Sequence, residues 1–244
     1  MFALVVDEDV SFAIGRCTFG RSVLELDGGS VDITGPSGVV GDICIGPGGK
    51  LRMTGGSFTT NVRLDASATF TQSGGGSRGT TFQPVDLSPE ITDANTAVTN
   101  AGGLPCALNL GTISAATTIT ATADPTVACV DNINLSGGKV ITLKGAAGTS
   151  LIIRVTGVFT LSGSSKIIID ATSALQPKNV LYDLVGSGSA LTITGGGQID
   201  GTILAPDRDV KLSVVKVNGE VISGKNITIV SGAAVKCPPS PCVP

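Results

Sequence analysis

Few residues in this chain could do chemistry, and their types exclude the most common catalytic centres. The chain contains no histidine, so neither a Ser-His-Asp nor a Cys-His arrangement is possible. Two groups of acids remain, Asp7-Glu8-Asp9 and the pair Asp207 and Asp209, and paired carboxylates are the catalytic groups of glycoside hydrolases. Because Asp207 and Asp209 follow Pro206, a solvated turn is the simpler interpretation. We therefore predict no catalytic residues and no enzyme, and we keep a carbohydrate-active β-helix enzyme as a third alternative.

The same acids are the candidates for a metal site. Asp7 and Asp9, or Asp207 and Asp209, could each give oxygen ligands to calcium. Neither stretch matches an EF-hand loop or the glycine-rich nonapeptide calcium repeat. The absence of histidine and of any Cys-x-x-Cys argues against zinc. Gly186-Ser-Gly188 lacks the third glycine of a dinucleotide fingerprint. The sequence therefore predicts neither a metal nor a cofactor.

The cysteines indicate an oxidising compartment. There are six of them, an even number in a chain of low charge, which favours disulfides over buried thiols. Pairing between sequence neighbours predicts three bridges: Cys17–Cys44, Cys106–Cys129 and Cys237–Cys242. We therefore expect a secreted, extracellular or cell-surface protein, with its targeting segment removed.

Composition narrows the fold and the partners. Hydrophobic residues make up 41% of the 244 residues, but aromatic residues only 3%, with no tryptophan. A narrow solenoid core is filled by Val, Ile, Leu and Ala rather than by large rings. The net charge of −3 and the 14% of charged residues provide no basic patch for nucleic acid. No apolar run is long enough to span a membrane.

Short apolar runs punctuated by glycine predict the fold. Between Asn179 and Val235 they include Val180–Tyr182, Ile199–Leu204 and Val214–Val217, each too short for a stable helix. Residues 23–70 repeat the same pattern, with alternating apolar positions and turns at glycine. We predict a mostly β protein, a right-handed parallel β-helix (β-solenoid) with one α-helix packed alongside.

The predicted helix spans residues 88–103. Ser88 suits the N-cap, Pro89 the first turn, and Gly102-Gly103 the C-terminal end. An apolar stripe formed by Ile91, Ala94, Val98 and Ala101 should pack along the side of the β-coil.

We expect one β-solenoid domain over residues 1–244. Its parts are N-terminal β repeats (1–87), the helix (88–103), the main β-helix (104–236) and a Pro-rich tail (237–244).

Threonines are the candidate ligand-binding residues. In a stacked coil, equivalent outward positions lie ~4.8 Å apart and can form flat ladders that order water or contact another surface. Threonine is also simply a favourable residue for a solvent-facing strand. The candidates lie in or beside predicted strands: Thr112, Thr117, Thr118, Thr120, Thr122, Thr142, Thr160, Thr192, Thr194 and Thr228.

Four segments carry a resemblance to a known family: Asn179-Val-Leu, Gly201-Thr-Ile-Leu-Ala-Pro206, Val217-Asn-Gly-Glu-Val-Ile222 and Ile229-Val-Ser-Gly232. They resemble the choice-of-anchor A family of secreted surface domains. The opening Phe2-Ala-Leu and the segment Val40–Gly46 are also similar to the related ice-binding-protein-like family. The order of β repeats, helix and long β-coil is the same in that second family.

The resemblance implies a β-solenoid with a lateral helix and a non-enzymatic surface role. Our main interpretation is therefore an extracellular structural or adhesive protein that binds a surface or matrix, or self-assembles into a filament. The alternative is an ice-binding (antifreeze) protein with a flat Thr/Ser/Ala-rich face. The nearest matches to that family's Thr-Gly/Ala-x-Thr/Asn spacings, Thr156-Gly-Val-Phe-Thr160 and Ser223-Gly-Lys-Asn226, form no clear array.

Overall fold

The computed structural model describes residues 21–236, which form a parallel β-helix with one α-helix along its side. This confirms the fold class predicted from the sequence. Within residues 21–87 the chain forms nine short strands: β1 (Arg21–Glu25), β2 (Ser30–Thr34), β3 (Gly38–Val40), β4 (Asp42–Ile45), β5 (Lys50–Thr54), β6 (Phe58–Thr59), β7 (Val62–Leu64), β8 (Thr69–Ser73) and β9 (Thr81–Phe82).

Helix α1 (Ser88–Gly103) follows, and the rest of the coil comes after it. Its strands are β10 (Leu108–Ile113), β11 (Thr117–Ala121), β12 (Thr126–Leu135), β13 (Val140–Gly145), β14 (Leu151–Val155), β15 (Phe159–Leu161), β16 (Lys166–Ile169), β17 (Val180–Leu184), β18 (Leu191–Thr194), β19 (Gln198–Asp200), β20 (Thr202–Ala205), β21 (Val210–Ser213), β22 (Lys216–Asn218), β23 (Val221–Ser223), β24 (Ile227–Val230) and β25 (Ala234–Lys236). A short 3₁₀ helix, Pro177–Asn179, precedes β17.

The two segments meet at a seam in the middle of the coil. The last C-terminal layer, β23 to β25, pairs in parallel with the first N-terminal layer, β1 to β3. The N-terminal layers continue away from the seam as far as β9. Helix α1 then runs back along the coil toward its opposite end, where β10 begins. A helix of 16 residues rises ~24 Å, which equals about five layers.

Each layer contributes strands to three faces. The helix face contains β1, β4, β7, β9, β14, β17, β20, β23 and the beginnings of β10 and β12. The threonine face contains β2, β5, β8, β15, β18, β21, β24 and the end of β12. The lysine face is a separate 8-stranded sheet of β3, β6, β11, β13, β16, β19, β22 and β25.

Side-chain pattern explains which face the helix covers. Strands of the helix face are buried at both inward and outward positions, as in β17, and most of these side chains are apolar. Outward residues such as Leu24, Leu181 and Leu204 pack beneath Ala94 and Ala101 of α1. Strands of the threonine face alternate instead, as in β18, so their outward side chains meet solvent.

The described helix has the predicted bounds, but its N-terminus differs from the prediction. The N-cap is Leu87 rather than Ser88, and no side chain caps the helix there. Asp86 Oδ1 instead accepts a hydrogen bond from the Ser88 amide at 3.0 Å. The predicted stripe is also shifted, because the buried residues include Ala97 while Ile91 is only half-buried.

Arg154, on the helix face, holds the C-terminus of α1. Its guanidinium donates to the carbonyl oxygens of Ala101 and Leu104, the latter at 3.1 Å, and so satisfies the end of the helix. Its Nε also lies 3.6 Å from Oδ2 of the buried Asp183. Burial raises the pKa of the Asp183 carboxyl to about 6, although Arg154 opposes that shift.

A disulfide fixes the chain just after the helix. Cys106 and Cys129 are bonded, with Cα atoms 5.6 Å apart, as the sequence predicts. Cys44 is also disulfide-bonded. The predicted pairs Cys17–Cys44 and Cys237–Cys242 involve residues outside the described range, as do Asp7-Glu8-Asp9 and the Pro-rich tail.

Two of the predicted strands are interrupted by backbone geometry. The run Ile199–Leu204 divides into β19 and β20 at Gly201, whose φ of 130° is accessible to glycine. The run Val214–Val217 begins as a turn, because Val214 has a φ of 53° and β22 starts only at Lys216.

Candidate functional site: the threonine face

Two outward columns of side chains define the threonine face. Both columns run across the stacked strands, whose layers are ~4.8 Å apart. Each strand contributes residue i to one column and residue i+2 to the other, so the two columns lie ~6.7 Å apart. We call them the corner column and the central column. The corner column lies beside the turn that leads to the lysine face.

The corner column consists of small side chains without charge. Strand register aligns Thr194 with Ser213 and Val230, and Thr34 with Thr54 and Ser73. Extending the neighbouring registers by one residue adds Ser162 and joins the two sets. Seven layers thus present six hydroxyls and one valine, which has the shape of threonine.

The central column is mixed. Its members in order across the layers are Asn134, Thr160, Thr192, Lys211, Thr228, Asp32, Arg52 and Thr71. Arg52 Nε lies 3.6 Å from Asp32 Oδ1, and both side chains are substantially exposed. The charged layers surround the seam, and the layers with β12, β15 and β18 carry only uncharged side chains in this column.

Most hydroxyls of the corner column are available to solvent, whereas the Ser162 hydroxyl donates to the Leu135 carbonyl at 3.4 Å. Within residues 21–236, the hydroxyl groups of Thr34, Thr54 and Thr194 make no hydrogen bond to other protein groups. The three side chains are half-buried by their neighbours, which limits their rotamers. A regular row of oriented hydroxyls and methyl groups can hold water in fixed positions.

The structure divides the ten candidate threonines between faces. Thr160, Thr192 and Thr228 lie in the central column and Thr194 in the corner column. Thr112, at the end of the coil, accepts a hydrogen bond from Asn132 Nδ2 at 3.0 Å. The remaining candidates lie on the lysine face or in the turn after it: Thr117, Thr118, Thr120, Thr142 and Thr122.

The lysine face is neither flat nor uniform. Outward positions there include Lys166, Lys216, Ile168 and Phe58, so large charged and apolar side chains alternate. Such a surface offers no regular array to a repeating ligand.

Sequence reasoning missed most of the corner column. Thr34, Thr54 and Ser73 come from the N-terminal repeats, which sequence analysis treated only as strands. A signal was present, because each hydroxyl residue directly precedes a turn glycine, as do Ser162 and Thr194. The hydroxyl-Gly pair marks the last outward position before each corner.

The acidic pair does not form a site. Asp207 is exposed in the turn after β20, and Asp209 Oδ1 accepts hydrogen bonds from the amide and Nδ2 of Asn226 at 3.2 and 3.1 Å. The residue between them is the buried one: Arg208 is 1% exposed. In the described part of the chain, no group of three or more acidic or cysteine side chains is arranged to hold a metal ion.

The fold and this face define a class of protein: a parallel β-helix with a lateral helix, which leaves open one strand face that carries a column of small uncharged side chains. Over residues 3–236 the chain matches the family described as an ice-binding-like adhesive domain, and it belongs to that family. The family relationship inferred from the sequence segments is thereby confirmed.

Solved structures share the fold at low identity. The ice-binding protein of the Antarctic ascomycete Antarctomyces psychrotrophicus is 19% identical, with a TM-score of 0.57 over 89% of this chain and 93% of that one. A glycosylated ice-binding protein from an Arctic yeast is 16% identical, with a TM-score of 0.59 over 99% and 98%. An ice-binding protein from an Antarctic Flavobacteriaceae bacterium is 16% identical, with a TM-score of 0.65 over 90% of this chain and 45% of that one.

No curated protein sequence matches the chain. Within residues 21–236, no helix has both the length and the hydropathy needed to cross a membrane.

Proposed function

We propose that this protein is a non-enzymatic extracellular protein that binds ice through its threonine face. The observation that carries the proposal is the uncharged corner column, which crosses seven layers at a regular spacing. Membership of the ice-binding-like family and the fold of three ice-binding proteins support it. The Cys106–Cys129 bridge supports an extracytoplasmic location.

Ice binding depends on the order that a protein surface imposes on water. Ice presents a periodic surface, so a protein that binds it must hold many weak contacts in register at once. The β-helix provides that register, because the ladder hydrogen bonds fix each outward side chain relative to the next layer. Small side chains keep the corner column flat, and the large side chains of the central column, Lys211 and Arg52, are confined to the layers around the seam.

The test compares matched threonines on two faces. We expect the purified protein to show thermal hysteresis and inhibition of ice recrystallisation. Thr54→Tyr and Thr194→Tyr, both in the corner column, should abolish most of that activity. Thr142→Tyr is the control, since Thr142 is equally half-buried but lies on the lysine face. An inactive parent protein, or equal losses in all three variants, would remove the proposal.

A second candidate function is attachment or assembly through the end of the coil. Among the described residues, β11 pairs only with β13, so its outer edge has free backbone groups. Its sequence, TTITA, has no charge or proline that would block a further strand. The adhesive description of the family also favours this function.

A further inference from the structure

A solvent-open groove lies at the corner between the threonine and lysine faces. Its volume is about 220 Å³, and its lining includes Lys166, Lys216, Val214 and three glycines, Gly196, Gly197 and Gly232. The glycines place no side chain over the groove, so its walls are largely backbone.

A shortened turn creates the groove. Thr194 pairs with Ser213 and Gln198 pairs with Lys216, so the turn from β21 to β22 has one residue fewer than the turn above it. The layer below is again longer, because Ser213 pairs with Val230 and Lys216 with Ala234. The short turn is therefore recessed between two longer ones.

That short turn is held in a costly conformation. Val214 has a φ of 53°, in the left-handed region that β-branched residues avoid, and its side chain is 46% exposed. A strained backbone with an exposed apolar side chain is destabilising on both counts. Gly195 and Ser231 begin the neighbouring turns with the same positive φ, so the coil imposes this conformation, and Val214 is the β-branched residue that adopts it within residues 21–236.

Two lysines flank the recess. Lys166 and Lys216 share one outward column of the lysine face and are separated by Gln198, so they lie two layers or ~10 Å apart. Neither ammonium group takes part in a salt bridge within residues 21–236. One carboxylate cannot bridge that distance, whereas successive anionic groups of a polymer can.

We propose that this corner groove binds an anionic polysaccharide. Carboxylate or sulfate groups would pair with Lys166 and Lys216, and the apolar face of a sugar ring would pack on Val214. Two lysines ~10 Å apart match a polymer with widely spaced anionic groups better than duplex DNA, which carries one charge per ~1.7 Å of helix axis. The site is separate from the threonine face, so it does not depend on ice binding.

Calorimetric titration with polygalacturonate tests the proposal, with neutral galactan and duplex DNA as comparison ligands. We expect binding to polygalacturonate that weakens with added salt, and no binding to galactan. The double variant Lys166→Ala/Lys216→Ala should bind about tenfold more weakly. The matched control, Lys50→Ala/Lys211→Ala, removes two exposed lysines from the threonine face and should bind like the parent.

A second variant separates the groove from its charges. Inserting a glycine between Val214 and Val215 restores the longer turn and keeps both lysines, and we expect it to lose affinity as the double variant does. If it does not fold, as judged by circular dichroism, the lysine variants decide. Any of three results would overturn the proposal: no binding to polygalacturonate, equal binding to galactan or DNA, or unchanged affinity in the lysine double variant. Ice activity should be unchanged in the Lys166→Ala/Lys216→Ala variant, because both lysines lie on the lysine face.

Discussion

Replacing Arg208 tests whether one buried cation stabilises the corner of the coil. Arg208 follows Pro206-Asp207 in the turn between β20 and β21, and its side chain enters the protein. Nε donates to the Gly186 carbonyl at 2.9 Å, and Nη2 donates to the Thr156 carbonyl at 2.6 Å. The carbonyls of Gly157 and Val185 accept the remaining two bonds. The side chain therefore joins three successive layers.

The magnitude follows from those four carbonyls. A buried acceptor that loses its donor costs ~1–3 kcal/mol. Thr156, Val185 and Gly186 are exposed residues, so water could reach their carbonyls, and we take the lower end for each. Arg208→Met should therefore lower the free energy of unfolding by ~4 kcal/mol. Arg208→Lys keeps the charge but loses the planar fork of donors, and should cost about half as much.

Urea unfolding followed by circular dichroism measures the change, since the chain has no tryptophan. Lys211→Met is the matched control, because Lys211 is an exposed cation in the following strand and should change stability by less than ~0.5 kcal/mol. A loss below ~1 kcal/mol for Arg208→Met would refute the reasoning. It would show that water satisfies the turn carbonyls as well as the Arg208 guanidinium does.

Two further predictions concern the helix anchor and the coil end. Burial raises the pKa of Asp183 to about 6, so the folded state holds its proton more tightly than the unfolded state. The protonated carboxyl therefore stabilises the folded state, fully below pH ~3.8. This stabilisation is lost as the pH rises through ~6, which should lower the free energy of unfolding by ~3 kcal/mol. Asp183→Asn should remove that part of the pH dependence, as measured by urea unfolding from pH 4 to 7. If β11 mediates assembly, sedimentation velocity should show concentration-dependent association that Thr120→Lys abolishes, and a parent protein that stays monomeric at high concentration would count against it.

Local rules predicted most of the fold. Apolar runs ending at glycine located the strands, and the composition of residues 88–103 located the helix, because both depend on neighbours in sequence. The errors occurred where backbone geometry overrides side-chain pattern, at Gly201 and Val214. The N-cap error at Ser88 has a similar cause, since the carbonyl oxygen of Leu87 already accepts the first helical hydrogen bond, from the Ile91 amide at 3.0 Å. The single-domain boundaries over residues 1–244 stay a prediction.

The candidate site was harder to predict because it is assembled across the seam. Val230 and Thr34 are neighbours in the corner column but are nearly 200 residues apart in sequence, and no local pattern aligns them. Asn226 shows how the join is held: it donates to Asp209 on one side and accepts from the Ser30 hydroxyl at 3.0 Å on the other. A threonine ladder counted along the chain therefore ends at β24. In three dimensions the same ladder continues through the N-terminal repeats, so the length of the flat face depends on how the two segments dock.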